Sequence, residues 1–110
     1  MSADIEDFIQ EITELSQHLL SASEIEITYK LIDKASLRII INADTFIDVY
    51  ANIENGRYDF SLIKDSKRIF GYDNLGNWHC HPLQGPDMHV VCAEPSVEKV
   101  FKEIADIINS

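Results

Sequence analysis

The stretch GYDNLGNWHCHPLQGPDMHVVC, residues 71 to 92, holds three of the chain's four histidines and both of its cysteines between His79 and Cys92. Imidazole and thiol are the side chains best suited to hold a soft metal ion or to move protons near neutral pH. If residues 78 to 81 run extended, His79 and His81 project from one side and Cys80 from the other. The rigid, turn-prone PLQGPD that follows can fold His89 and Cys92 back toward that pair. Two chemistries then open. A set drawn from His79, His81, His89 and Cys92 is a donor set for zinc, which takes three or four nitrogen and sulfur ligands in a tetrahedron. Without a metal, paired imidazoles serve as general acid and general base, the two roles that phosphodiester transfer in RNA requires. Asp73 is placed to orient an imidazole, and Asn74 to donate to a developing oxyanion. A third reading keeps the histidines and cysteines as loop and capping residues, with the cysteines as small, reduced, buried hydrophobes.

The elements that must position this loop are legible on either side of it. Ile5, Phe8, Ile9, Ile12, Leu15, Leu19 and Leu20 recur every three or four residues, which predicts an amphipathic helix over 4–22 with Asp4 as its N-cap. From residue 24 the period changes to two. Segments near 25–33, 36–42, 45–54, 57–64 and 67–73, rich in Ile, Val, Thr, Tyr and Phe, predict five strands. Their short connections imply an antiparallel meander, and Asn55-Gly56 predicts a tight type I′ hairpin. Tyr58, Phe60 and Leu62 should share a core face with Ile47, Val49, Ala51 and Ile53, leaving Phe46, Asp48, Tyr50 and Asn52 on a second, partly aromatic face. Beyond the loop, Val97, Val100, Phe101, Ile104, Ile107 and Ile108 predict a closing helix, with Pro95 suited to its first turn. The expectation is one domain over residues 1–110, of α+β class. It comprises a five-stranded antiparallel meander with the N-terminal and C-terminal helices packed on one face.

Composition narrows the function classes. Nineteen acidic against nine basic residues give a net charge of −10, which disfavours a broad grip on nucleic acid: DNA is not expected as a partner, and RNA only through a few local contacts. No apolar run approaches the ~20 residues that span a bilayer. The acidic opening MSADIEDF is unlike a secretory leader, so a cytoplasmic protein without a membrane partner is expected.

The run from Arg68 onward carries a Tyr72-Asp73-Asn74 turn, Trp78-His79-Cys80-His81-Pro82, a later His89, and Glu94-Pro95-Ser96 leading into the last helix. It resembles the TumE-like toxin–antitoxin family and related small prokaryotic proteins of unknown function. The resemblance implies a prokaryotic cytoplasmic toxin with a cognate antitoxin protein as partner. Two functions from different classes follow. One is a His-dependent hydrolase acting on RNA through His79, His81 and His89 with Asp73 and Asn74. The other is a non-enzymatic interaction module whose His/Cys loop is structural or holds zinc.

Overall fold

The computed structural model describes residues 4–110. Helix α1 (Ile5–Leu15) starts where Asp4 accepts a hydrogen bond from the Asp7 amide at 2.8 Å, satisfying one of the donors a helix start leaves open. It continues as a π-helical turn, Ser16–Leu20, where the buried Ser16 hydroxyl bonds back to the Ile12 carbonyl, and the chain leaves through Ser21 at φ 50. Seven strands follow: β1 (Glu24–Lys30), β2 (Lys34–Asn42), β3 (Thr45–Asn52), β4 (Arg57–Lys64), β5 (Lys67–Asp73), β6 (His79–His81) and β7 (Val90–Val91). Helix α2 (Val97–Ile108) closes the chain. The sheet runs β1 to β7 in sequence order with every neighbouring pair antiparallel.

The α+β class, the antiparallel meander and both helices are as the sequence predicts, but the strand count is seven rather than five. β6 and β7 have three and two residues. Neither has enough alternating apolar character to register as a strand; they exist because β5 offers them a template.

Alternation sorts the sheet into two faces. Leu37, Ile39, Ile47, Val49, Ala51, Phe60 and Leu62 point to the helices and are at most 1% exposed. There they join Phe8 and Ile12 of α1 with Val100, Phe101 and Ile104 of α2 in one apolar cluster. Among the described residues no helix lies over the other face. Its register rows matter for the site: Tyr50, Asp59, Asp73 and His79 form one row, and Asp48, Ser61, Gly71 and His81 the next. Phe46 and Tyr50 lie there as expected, each beneath a guanidinium: Arg38 at 4.1 Å and Arg57 at 5.8 Å from the ring centres.

Two turns differ from the sequence reading. The β3–β4 connection is a four-residue loop, Ile53 to Gly56, in which only Gly56 has positive φ. Asn52 accepts from the Asn55 amide and Asn55 from the Arg57 amide, so asparagine side chains shape the loop in place of a two-residue turn. The two-residue hairpin with positive φ at both central positions is Asp65-Ser66, at 51° and 66°. Serine in that region is strained where glycine is not. Ser66→Gly is therefore expected to raise the unfolding free energy by about 0.5 kcal/mol, a balance of relieved strain against added chain entropy, measurable as a higher urea midpoint at unchanged slope. Pro95 also lies one position outside the expected helix turn: Ser96 is the N-cap, accepting from the Lys99 amide.

Candidate functional site

Strand β5 ends on Asp73, whose carboxylate lies on the uncovered face where β6 joins the sheet. Pairing of Asp73 with His79 and of Gly71 with His81 puts both imidazoles on that face, as the His-x-His spacing predicts. Asp73 Oδ1 is 2.9 Å from His79 Nε2, and Asp73 Oδ2 is 2.9 Å from His81 Nε2, so one carboxylate bridges two rings. His81 is 1% exposed and Asp73 7%.

The loop 82–89 returns over them. Its own turns, Gly85 amide to Pro82 carbonyl and Met88 amide to Gly85 carbonyl, fold it tightly. It brings the Pro86 carbonyl to 3.1 Å from His81 Nδ1 and sets the exposed His89 ring 4.5 Å from His81 and 4.9 Å from His79, centre to centre. One nitrogen from each of the three rings lies within 4.8 Å of the others. The second nitrogen of His79, Nδ1, is 2.8 Å from the Asn77 carbonyl.

A hydrogen-bond inventory shows what this arrangement asks for. A carbonyl oxygen only accepts, so Nδ1 of both His79 and His81 carries a hydrogen. In the neutral ring Nε2 is then a lone pair, and it faces a carboxylate oxygen. Two lone pairs against two carboxylate oxygens repel, so the cluster is satisfied only when a cation lies between them: protons on the imidazoles, or a metal ion. Burial alone would raise the Asp73 carboxyl, but the hydrogen bond to His81, the Leu75 amide and the charges of His79 and His81 outweigh it and hold the group below its ordinary value. Its register neighbour Asp59 is pushed the other way, chiefly by burial and also by Asp73, with Ser61, Arg68 and Arg57 partly offsetting.

Of the residues the sequence singles out, His79, His81, His89 and Asp73 come together. Asn74 does not join them as an oxyanion donor. Its Oδ1 accepts from the Tyr58 amide at 2.8 Å, and its Nδ2 donates to the Gly56 carbonyl at 2.7 Å, so it ties the β3–β4 loop to the end of β5. Cys92 is corrected as well. Its amide bonds to the Trp78 carbonyl, so it shares the phase of Trp78 and Cys80 and packs on the helix side, away from the imidazoles. The metal-competent group among the described residues is the three histidines without a thiol.

What residue types cannot signal is the backbone contribution of Asn77 and Pro86, since every residue has a carbonyl. The groove beside the site is equally invisible to pattern reading. It has a volume of about 890 Å³, and its lining includes Arg38, Asp48, Tyr50, Ser61 and Arg68, with Pro86 forming part of its wall. Arg38 is held there by a two-bond contact with Asp48. No helix among the described residues is long and apolar enough to cross a membrane. The chain matches no family model, no curated protein and no solved structure.

Proposed function

We propose that the His79–His81–His89–Asp73 cluster is a hydrolytic centre cleaving phosphodiesters, with RNA as substrate, in a toxin-like protein of the TumE type. One observation carries this reading: His79 and His81 each present both ring nitrogens to oxygens that only accept. These partners suit protons or a metal ion at the floor of a partly roofed site, and positive charge is what a phosphodiester and its more highly charged transition state require. His89 is the proton-moving residue. It is exposed, neither of its nitrogens has a hydrogen-bond partner among the described residues, and it adjoins the His79–His81 pair. Asp73 is a positioning residue that fixes the rings of His79 and His81.

The same geometry favours a second form of the centre, in which a zinc-class ion supplies the positive charge. A ligand histidine commonly donates its other N–H to a backbone carbonyl, which fixes tautomer and orientation; His79 and His81 both do so. Three nitrogen ligands without a thiolate make an open site rather than a closed structural one.

A single experiment separates the readings. Freshly purified protein, prepared without a metal-affinity tag, is incubated with mixed cellular RNA with and without chelator, beside His89→Ala prepared identically. The expected result is cleavage that falls ~10²-fold or more in His89→Ala, with thermal stability unchanged because the ring is exposed. Loss on chelation, with close to one equivalent of metal in the untreated protein, assigns the metal form; indifference to chelator assigns the proton form. Equal cleavage by wild type and variant, or none by either across roughly pH 5 to 9, removes the hydrolytic reading. A protein that binds an antitoxin-like partner and whose histidine loop is architectural would then be the better account.

A further inference from the structure

All three arginines of the chain, Arg38, Arg57 and Arg68, lie on the uncovered face of the sheet, the face that carries the histidines. Arg38 and Arg68 line the groove beside the site together with Lys67, against Asp48, Asp59 and Asp87. Three basic and three acidic side chains leave this lining neutral in a chain of net charge −10. A polyanion therefore meets far less repulsion here than the whole chain would impose.

Arg68 reaches this face through an irregularity in the sheet. Strict alternation along β5 would put it with Phe70 and Tyr72 on the helix side. Leu62 pairs with Phe70 but Ile63 with Arg68, so Ile69 is an extra residue, a β-bulge that turns Arg68 to the other face. Its side chain then crosses the space that Gly71 leaves open: Arg68 Cδ is 3.5 Å from where a Gly71 Cβ would stand. Gly71 is the register partner of His81, so the stem of Arg68 passes one strand away from the histidine cluster. Ser61, the other partner of Gly71, is small as well, and the floor of the groove stays low from His81 toward Asp48 and Arg38. The arginines also differ in what already holds them. Arg38 is bonded twice to Asp48 and covers Phe46, and Arg57 lies over Tyr50. Arg68 is half-buried, yet its guanidinium has no hydrogen-bond or ion-pair partner among the described residues. Asp59 feels its charge but takes its hydrogen bond from the Ser61 hydroxyl at 3.1 Å. A planar fork of unclaimed donors beside the site suits the paired oxygens of a phosphate.

We infer that Arg68 is the phosphate anchor of the substrate strand: it grips the backbone phosphate next to the linkage held at the histidines, and single-stranded RNA runs on from there along the groove over Ser61. This inference rests on the hydrolytic reading proposed above and adds to it the residue that places the strand. The strand is single because Pro86, in the groove wall, belongs to the loop that roofs the histidines. A single strand bends to pass that loop, whereas a base-paired helix is stiff over many base pairs. A phosphate contact carries no base information, so Arg68 confers affinity and register without sequence preference.

Binding of the full chain to a fluorescently labelled, single-stranded 2′-O-methyl oligonucleotide, which lacks the free 2′ hydroxyl, is followed by anisotropy at several salt concentrations. Arg68→Gln is expected to weaken binding about tenfold, equally for A, C and U homopolymers, and to lower the salt slope by about one phosphate. Arg68→Lys keeps the charge and loses the fork, so it should fall between the two with the slope retained; it carries the test if Arg68→Gln does not fold. Lys102→Gln removes an equal charge from the exposed surface of α2 and should bind as wild type. Binding that neither Arg68 variant changes, or that Lys102→Gln weakens as much, would overturn the anchor. Preference for a duplex of the same sequence would overturn the path of the strand. RNA cleavage is assayed in parallel and reports on the hydrolytic reading by itself. Cleavage that is lost in His89→Ala but indifferent to Arg68→Gln keeps that reading and removes the anchor. Binding that depends on Arg68 without any cleavage leaves a strand-binding groove and removes the hydrolytic reading, and with it the role of Arg68 in placing a substrate.

Discussion

Asp73→Ala is expected to cost about 3 kcal/mol of stability and, on the hydrolytic reading proposed above, to abolish RNA cleavage. Removing the carboxylate leaves His81, almost wholly buried, with Nε2 stripped of its Asp73 partner. Breaking one side of a buried ionic contact costs about 3–5 kcal/mol, and the lower end applies because Asp73 sits near the open face. For a chain of this size that corresponds to a fall of roughly 15 °C in melting temperature. Asp73→Asn keeps the shape and isolates the charge. The folded-state carboxyl lies below its ordinary value, so its contribution to stability is present above the unfolded value of about 3.9. That contribution is lost as pH falls through the folded value. Wild-type stability should therefore decline on the acid side of about pH 4, and the Asp73→Asn curve should be flatter there. Parallel curves would show that Asp73 is not charge-coupled to the histidines.

Gly71→Ala should destabilise the fold by about 2–3 kcal/mol, as overpacking typically does, and weaken the site at a distance. A Cβ built at Gly71 lies 2.6 Å from the Phe60 backbone carbonyl. That oxygen belongs to the central strand β4 and cannot swing aside as a side chain would. The strands must part, next to the irregular register between Leu62 and Ile63 where β4 and β5 pair. Gly71 is also the direct partner of His81, so the displacement is passed to β6. Denaturant unfolding measures the first effect, and, on the hydrolytic reading proposed above, loss of cleavage in protein that remains folded at low temperature measures the second. A Gly71→Ala protein as stable and active as wild type would mean that β5 has slack at this position.

Much of the frame was readable because it rests on local chemistry. The period of 3.6 in Ile5, Phe8 and Ile12 and in Val97, Val100, Phe101 and Ile104, and the period of 2 in Tyr58, Phe60 and Leu62, are each imposed by one apolar face meeting a core. The boundaries of β4 and β5 and the Asp4 cap follow from the same local rules. The pairing of His79 with His81 on one side was readable too, since side-chain alternation needs no knowledge of the partner strand. Turn chemistry was less secure. Asn55-Gly56 carries the stronger tight-turn signal, yet the ladder between β4 and β5 imposes positive φ on Asp65 and Ser66, where the residues are less suited to it.

Tertiary structure alone decided the rest. β6 and β7 have five residues between them and depend on β5 for their pairing, so no window of sequence could contain the cause of their existence. Their register separates Cys92 from the histidines: a cysteine next to Val90 and Val91 reads as one more ligand in a cluster, but the phase of β7 turns it to the helix side. Asn74 was lost to the site because two backbone groups of the neighbouring hairpin claim its amide. The carbonyls of Asn77 and Pro86, which orient His79 and His81, belong to the backbone that all residues share. The sequence by itself determined which side chains with metal-binding or proton-moving chemistry lie in one loop, and which face of the strand His79 and His81 take. Only the folded chain decided that Asp73 bridges two of the histidines while His89 stands exposed beside them. Contacts across strands depend on register, and register is a property of the assembled sheet.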